Sequence, residues 1–210
     1  IDGGGIRGMI PALVLDHIEQ RTGRAIGDMF DLLAGTSTGG ILALALGLPG
    51  ETANQTAAFS AAELVGLYRD RGPEIFSQSF WQRLRSLRGV FDETYSARHL
   101  ERVLERYFKA RTLGDCRVPV MVTAYALERR QAVFLKSFHP DHRPVTCTAA
   151  ARATSAAPTF FEPANVTIAG AEHALIDGGV FINSPSVSAY AEALSLYPND
   201  DIHVLSLGTG

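Results

Sequence analysis

Apolar residues recur at Met9, Ile10, Leu13, Val14 and Ile18, the spacing of a helix with one apolar face, and Pro11 fits its first turn. Residues 29–34 form a short apolar run of strand length, and Gly40 to Leu46 is a continuous apolar run that reads as a buried helix. Ser60-Ala61-Ala62-Glu63 has capping-box spacing ahead of Leu64, Val65, Leu67 and Tyr68, which predicts a helix starting at Ser60. Leu100, Val103, Leu104 and Tyr107 mark another. Residues 118–126 and 132–138 are rich in β-branched and aromatic side chains and read as strands, as does Ala174-Leu175-Ile176. Val187, Tyr190, Ala191 and Leu194 give a late helix, and the apolar run 202–207 reads as a terminal core strand. Residues 49–59 and 77–95 are irregular and are expected to be loops or insertions. Helices alternating with short strands imply an α/β layered domain with a largely parallel sheet.

Between the run at 29–34 and the helix at 40–46 lies Gly35-Thr36-Ser37-Thr38-Gly39. A serine on a sharp strand-to-helix turn, with glycines on both sides so that the turn can close, is the pattern of a nucleophile elbow. At the start of the chain, Asp2-Gly3-Gly4-Gly5-Ile6-Arg7-Gly8 leaves backbone N–H groups free of side chains, which suits an oxyanion hole at Gly3, Gly4 and Gly5. Asp177-Gly178-Gly179 follows the strand at 174–176 and sets a carboxylate at a strand end. Each feature has a plainer reading. Ser37 is also a good helix N-cap, and Asp-Gly is a common turn. Gly3, Gly5 and Gly8 also satisfy a dinucleotide fingerprint, but the following strand ends in Gly35-Thr36-Ser37 and lacks the acidic residue that binds a ribose.

Taken together, the three segments make the sequence resemble the patatin-like phospholipase family, whose hallmarks are a D-G-G-G-x-R-G turn, a G-x-S-x-G elbow and a D-G-G or D-G-A triplet in that order. The stretch Ala151-Arg152-Ala153-Thr154-Ser155-Ala156-Ala157-Pro158, ahead of Phe160-Phe161-Glu162-Pro163, is similar to the family's segment before its catalytic aspartate. The resemblance implies a three-layer α/β/α fold and a lipid acyl hydrolase that works through a Ser37–Asp177 dyad, with no cofactor and no metal. Its substrate would be a phospholipid or another acyl-ester lipid. Of the six histidines only His203 follows Asp177, and it falls in the apolar run 202–207, where a structural role is expected. A Ser-His-Asp relay is therefore the weaker expectation. A non-enzymatic lipid-binding or regulatory domain of the same fold is the alternative, and a dinucleotide-binding module a remoter one.

At 210 residues the chain is large enough to bury a core as one domain, residues 1–210. The start at Ile1 and the end at Gly210 read as an excerpt without the family's first strand and its C-terminal remainder. A net charge of −3 argues against nucleic-acid binding. Cys116 and Cys147 lack metal-ligand spacing and read as small core residues. No apolar run is long enough to span a bilayer, so the expectation is a cytoplasmic protein or one bound peripherally at a membrane. Residues 80–88, from Phe80 through Trp81 to Arg88, mix aromatics with arginines and are a candidate membrane-surface contact, against the plainer reading of a solvated basic face. Arg7 is a candidate anion contact within the glycine turn, and Arg152 reads as structural.

Overall fold

The computed structural model describes residues 1–51, 56–75 and 93–210. The aromatic-basic segment 80–88 and most of the expected insertion 77–95 lie outside the described residues. In chain order the elements are α1 (Met9–Thr22), β1 (Leu33–Gly35), α2 (Thr38–Gly47), α3 (Ala61–Ile75), α4 (Glu93–Phe108), β2 (Val120–Ala126), β3 (Gln131–Lys136), α5 (Cys147–Thr154), β4 (Ala164–Ile168), β5 (Ala171–Asp177) and α6 (Ser186–Leu196).

The expected α/β layering is present, with a central sheet flanked by helices. Pairing within the sheet is mixed: β1 runs parallel to β2, while β3 and β5 run antiparallel to β2 and β4 antiparallel to β5. The departure from a largely parallel sheet comes from two hairpins, β2–β3 and β4–β5. The second turns through Ala169 and Gly170, both with positive φ (50° and 79°). Two consecutive positive φ values are what the tightest hairpin turns require.

β2 organises the sheet. β3 pairs along nearly its whole length, from Met121 to Ala126, and so occupies one edge. The other edge is shared by β1, opposite Val120 to Val122, and β5, opposite Ala124 to Ala126. Because one is parallel and the other antiparallel, they run toward each other. Gly35 at the end of β1 lies opposite Val122, and Asp177 at the end of β5 lies opposite Ala124. The C-terminal ends of two strands far apart in sequence therefore meet at Thr123.

Alternation along β2 sends Val120, Val122, Ala124 and Ala126 into the main core with α2. Every residue of α2 is buried, which explains its unbroken apolar sequence. On the opposite face Tyr125 and Phe134 pack against Phe181, with ring centroids 6.1 and 5.9 Å away, and Lys136 pairs with Glu192 of α6. The capping box at Ser60 is formed: Ser60 N–H donates to Glu63 Oε2 at 2.8 Å and Glu63 N–H to Ser60 Oγ at 3.3 Å.

Two expected strands differ. Of residues 29–34 only Leu33 and Ala34 enter β1, because the chain before them turns: Met29 and Phe30 N–H both donate to Ile26 O, and Asp28 is held by Arg117. The run 202–207 forms no strand. Within it, Leu207 accepts a hydrogen bond from Asp2 N–H at 2.9 Å, while Val204 and Leu205 are about half exposed (50% and 47%).

Candidate active site

The elbow between β1 and α2 is closed by backbone approaching backbone. A β-carbon on Gly35 would lie 2.1 Å from the Gly39 carbonyl oxygen, and one on Gly39 would lie 2.3 Å from that of Ile1. Only glycine fits at either position. Between them Ser37 has φ 55° and ψ −123°, a conformation that costs an L-residue about 1–3 kcal/mol and persists only where its surroundings enforce it. Ser37 N–H donates to Thr154 Oγ1 at 2.9 Å, and on α3 the buried Tyr68 hydroxyl donates to Thr38 O at 3.2 Å and pairs with Thr38 Oγ1. Along Gly35–Leu48 every residue is buried except Ser37. The serine is thus the one side chain of this segment presented to the outside, at the positive end of a buried helix.

Asp177 ends β5 and is 5% exposed. Its N–H donates to Ala156 O at 3.0 Å, and one carboxylate oxygen accepts from Gly179 N–H at 2.7 Å. Burial pushes the carboxyl above the ordinary carboxylate range, and the Ser37 hydroxyl and the Gly179 N–H pull it part of the way back. No histidine is among the groups acting on it. His203, expected inside an apolar strand, is instead exposed.

The glycine turn lies beside the elbow. Ile1 bonds to both Ala34 O (2.8 Å) and Thr36 N–H (3.2 Å), so the segment entering the turn runs along the edge of β1 away from β2. Gly3 is clamped on both sides: its N–H donates to Asn183 O at 3.1 Å, and its carbonyl accepts from Thr209 Oγ1 at 2.7 Å. Its N–H is therefore committed to the fold, and its contribution is space, because a β-carbon there would lie 3.3 Å from Ser37 Cβ. Among the described residues no hydrogen bond engages the N–H of Gly4 or Gly5. Arg7 is exposed and its guanidinium donates to the Gly210 carbonyl at 2.5 Å.

Several residues that hold the site carried no motif. Thr123 Oγ1 donates to Thr36 Oγ1 at 2.8 Å, and Thr36 Oγ1 donates to Ile182 O at 3.2 Å, tying β2, the elbow and the segment after Asp177 together. Thr154, Asn183 and Thr209 complete the frame. Their only sequence signal is that Thr154 falls in the stretch 151–158 before the aspartate. Arg152, buried in the same helix, donates to Glu101 (3.2 Å) and to the Glu162 carbonyl (2.7 Å) and lies over the Phe161 ring, a structural anchor between α5 and α4. Among the described residues no cluster of His, Cys, Asp and Glu could hold a metal ion.

The family model described as patatin-like phospholipase matches residues 1–190. The chain belongs to the patatin-like phospholipase family. It is 30% identical to patatin-like protein 2 of Arabidopsis thaliana, over all of this chain and 58% of that protein. It is 33% identical to a cGAMP-activated phospholipase of Escherichia coli, over all of this chain and 60% of that protein. At 31% identity it matches equally well a probable inactive patatin-like protein 9 of Arabidopsis thaliana, over all of this chain and 59% of that protein. The chain thus spans about three fifths of the length of these relatives. Family membership is compatible with both active and inactive proteins, so the case for catalysis rests on the site residues themselves.

Proposed function

We propose that residues 1–210 form a lipid acyl hydrolase domain that cleaves fatty-acyl esters, phospholipids among them, through a Ser37–Asp177 dyad. The observation that carries this reading is a buried carboxylate, held above its ordinary range by burial, on which the hydroxyl of the positive-φ Ser37 acts and no histidine does. Ser37 Oγ attacks the ester carbonyl as Asp177 accepts its proton, giving a tetrahedral oxyanion. The N–H groups of Gly4 and Gly5 receive the oxyanion, assisted by the N-terminus of α2. Asp177 returns its proton to the departing alcohol, leaving an acyl-serine. Water that loses a proton to the same carboxylate then releases the fatty acid. A carboxylate held above its ordinary range is a stronger base than a solvated one, which favours both proton transfers.

The substrate reaches this domain from a lipid surface. No helix among the described residues is long and apolar enough to cross a membrane, so contact is peripheral in this reading. Val180 and Phe181, directly after the Asp177 triplet, are 48% and 38% exposed and supply apolar surface beside the dyad. Arg7, at the rim of the glycine turn, is the candidate contact for an anionic headgroup.

The test is fatty-acid release from phospholipid vesicles by the parent protein and by Ser37→Ala. Release by the parent that Ser37→Ala abolishes supports the hydrolase. Vesicle binding by both proteins, with release by neither, would favour the non-enzymatic lipid-binding domain.

A further inference from the structure

Cys116 and Cys147 are far apart in sequence, but the backbone brings them together. Leu113 N–H donates to Val145 O at 2.8 Å, Gly114 N–H to Arg143 O at 2.9 Å, and Cys147 N–H to Arg111 O at 2.8 Å. Thr112 and Thr146 face each other across an antiparallel bridge. The tight turn Leu113–Asp115 follows, locked by Thr112 N–H donating to Asp115 Oδ2 at 2.7 Å, and leads into Cys116, while Cys147 opens α5 directly after the bridge. The Cys116 thiol lies close enough to that of Cys147 to raise it above its ordinary range. Both are free; Cys147 is buried and Cys116 partly exposed. Cys147 lies in the core and Cys116 packs against it, as expected of small core residues.

We propose that Cys116 and Cys147 form an oxidative modification site, which a small hydroperoxide converts reversibly to an intramolecular disulfide. Cys116 is the residue a solvent-borne oxidant reaches. Its thiolate attacks one peroxide oxygen and the O–O bond breaks, giving Cys116 sulfenic acid and hydroxide, which is protonated to water. The neighbouring Cys116 thiol and burial both push the Cys147 thiol above its ordinary range, so it keeps its proton until the sulfenic acid forms. The Cys147 sulfur then attacks the Cys116 sulfur, the S–O bond breaks, and the Cys147 proton leaves with the departing hydroxide as a second water. The two thiols lose two hydrogens and the peroxide is reduced to two waters. The cross-link closes a loop containing β2 and β3 and fastens the N-terminal end of α5, the helix whose other end holds Ser37 N–H through Thr154.

The test treats the chain with hydrogen peroxide, alkylates the remaining thiols and digests with trypsin without reduction. The expected product joins peptide 112–117 to peptide 137–152, the latter uncut at Arg143 because Pro144 follows. The intact protein should lose the mass of two hydrogens and regain it on reduction. Two thiols that remain alkylatable would overturn the proposal, as would sulfinic acid on Cys116 with Cys147 still free. A second arm traps sulfenic acid with dimedone. Cys147→Ser should accumulate the adduct on Cys116 and the parent should not, whereas equal adduct in both would contradict a resolving role for Cys147. Should Cys147→Ser fail to fold, the parent's mass and peptide map decide alone.

Discussion

Thr154 Oγ1 accepts the backbone N–H of Ser37 at 2.9 Å, so a side chain at the C-terminal end of α5 holds the positive-φ residue of the elbow. Thr154 is fully buried, and removing its hydroxyl leaves an N–H with no acceptor. An unsatisfied buried group costs about 1–3 kcal/mol. Thr154→Val, nearly isosteric, should therefore lower stability by about that amount and reduce kcat with little change in KM, since the serine loses its orientation. Thr154→Ser should restore both. Steady-state kinetics beside thermal unfolding check this; a Thr154→Val enzyme with parental kcat would show that Ser37 is held by other means.

The raised pKa of Asp177 gives two signed expectations. As the base it must be ionised, so kcat/KM should fall on acidification through an apparent pKa above the ordinary value of about 4. Asp177→Asn should cost ~10²–10⁴-fold in kcat. For stability the sign is opposite. The folded state binds this proton more tightly than the unfolded chain, so ionising Asp177 lowers stability as pH rises from the unfolded pKa through the folded one. Asp177→Asn should therefore be at least as stable as the parent at neutral pH, with the difference shrinking toward acid. Thermal unfolding of both proteins across pH tests the sign, and a variant less stable at neutral pH than in acid, relative to the parent, would contradict it.

The glycine turn can be probed at Gly4. A β-carbon there would lie 2.3, 2.6 and 2.9 Å from Thr209 Oγ1, Cβ and Cγ2, and Thr209 is also the residue that holds the Gly3 carbonyl. Gly4→Ala should displace the Gly4 and Gly5 N–H groups while leaving Ser37 in place. Loss of one oxyanion donor costs ~10²–10³ in kcat, so the expected signature is a fall of that order at nearly constant KM. Hydrolysis of a short-chain ester by folded Gly4→Ala at the parental rate would remove the turn from the mechanism.

Much of this was written in the sequence, for identifiable reasons. The elbow, the glycine turn and the aspartate triplet are legible because each demands residue types that backbone geometry imposes, as at Gly35 and Gly39. Helices α1, α3, α4 and α6 follow from apolar spacing and α2 from its unbroken apolar run, although Ile10, Leu13 and Val14 of α1 and Val187, Tyr190 and Leu194 of α6 are exposed, so in these two the spacing located the helix and not its buried face. What brings Ser37 to Asp177 was not legible: periodicity identifies a strand but not its direction, so the head-on meeting of β1 and β5 at Thr123 could not be read. The helix α5 is alanine-rich and carries no apolar stripe, and its cap is a single threonine, Thr146, accepting from Ala149 N–H. The turn at Ala169-Gly170 lacks the Asn or Asp that usually marks such a hairpin. Thr36, Thr123 and Thr154 look like ordinary β-branched residues, and only the fold shows their hydroxyls in a frame. Residues 202–207 have a core strand's composition, but their one backbone hydrogen bond among the described residues is that from Asp2 to Leu207, and Ser206 pairs only through its side chain with Ser186.

The central claim is that Ser37 is the covalent nucleophile, and active-site labelling addresses it most directly. A fluorophosphonate probe should add once to the parent protein, peptide mapping should place the adduct on Ser37, and Ser37→Ala should take up none. Undiminished labelling of folded Ser37→Ala, or an adduct mapped to any other residue of the parent, would contradict the account.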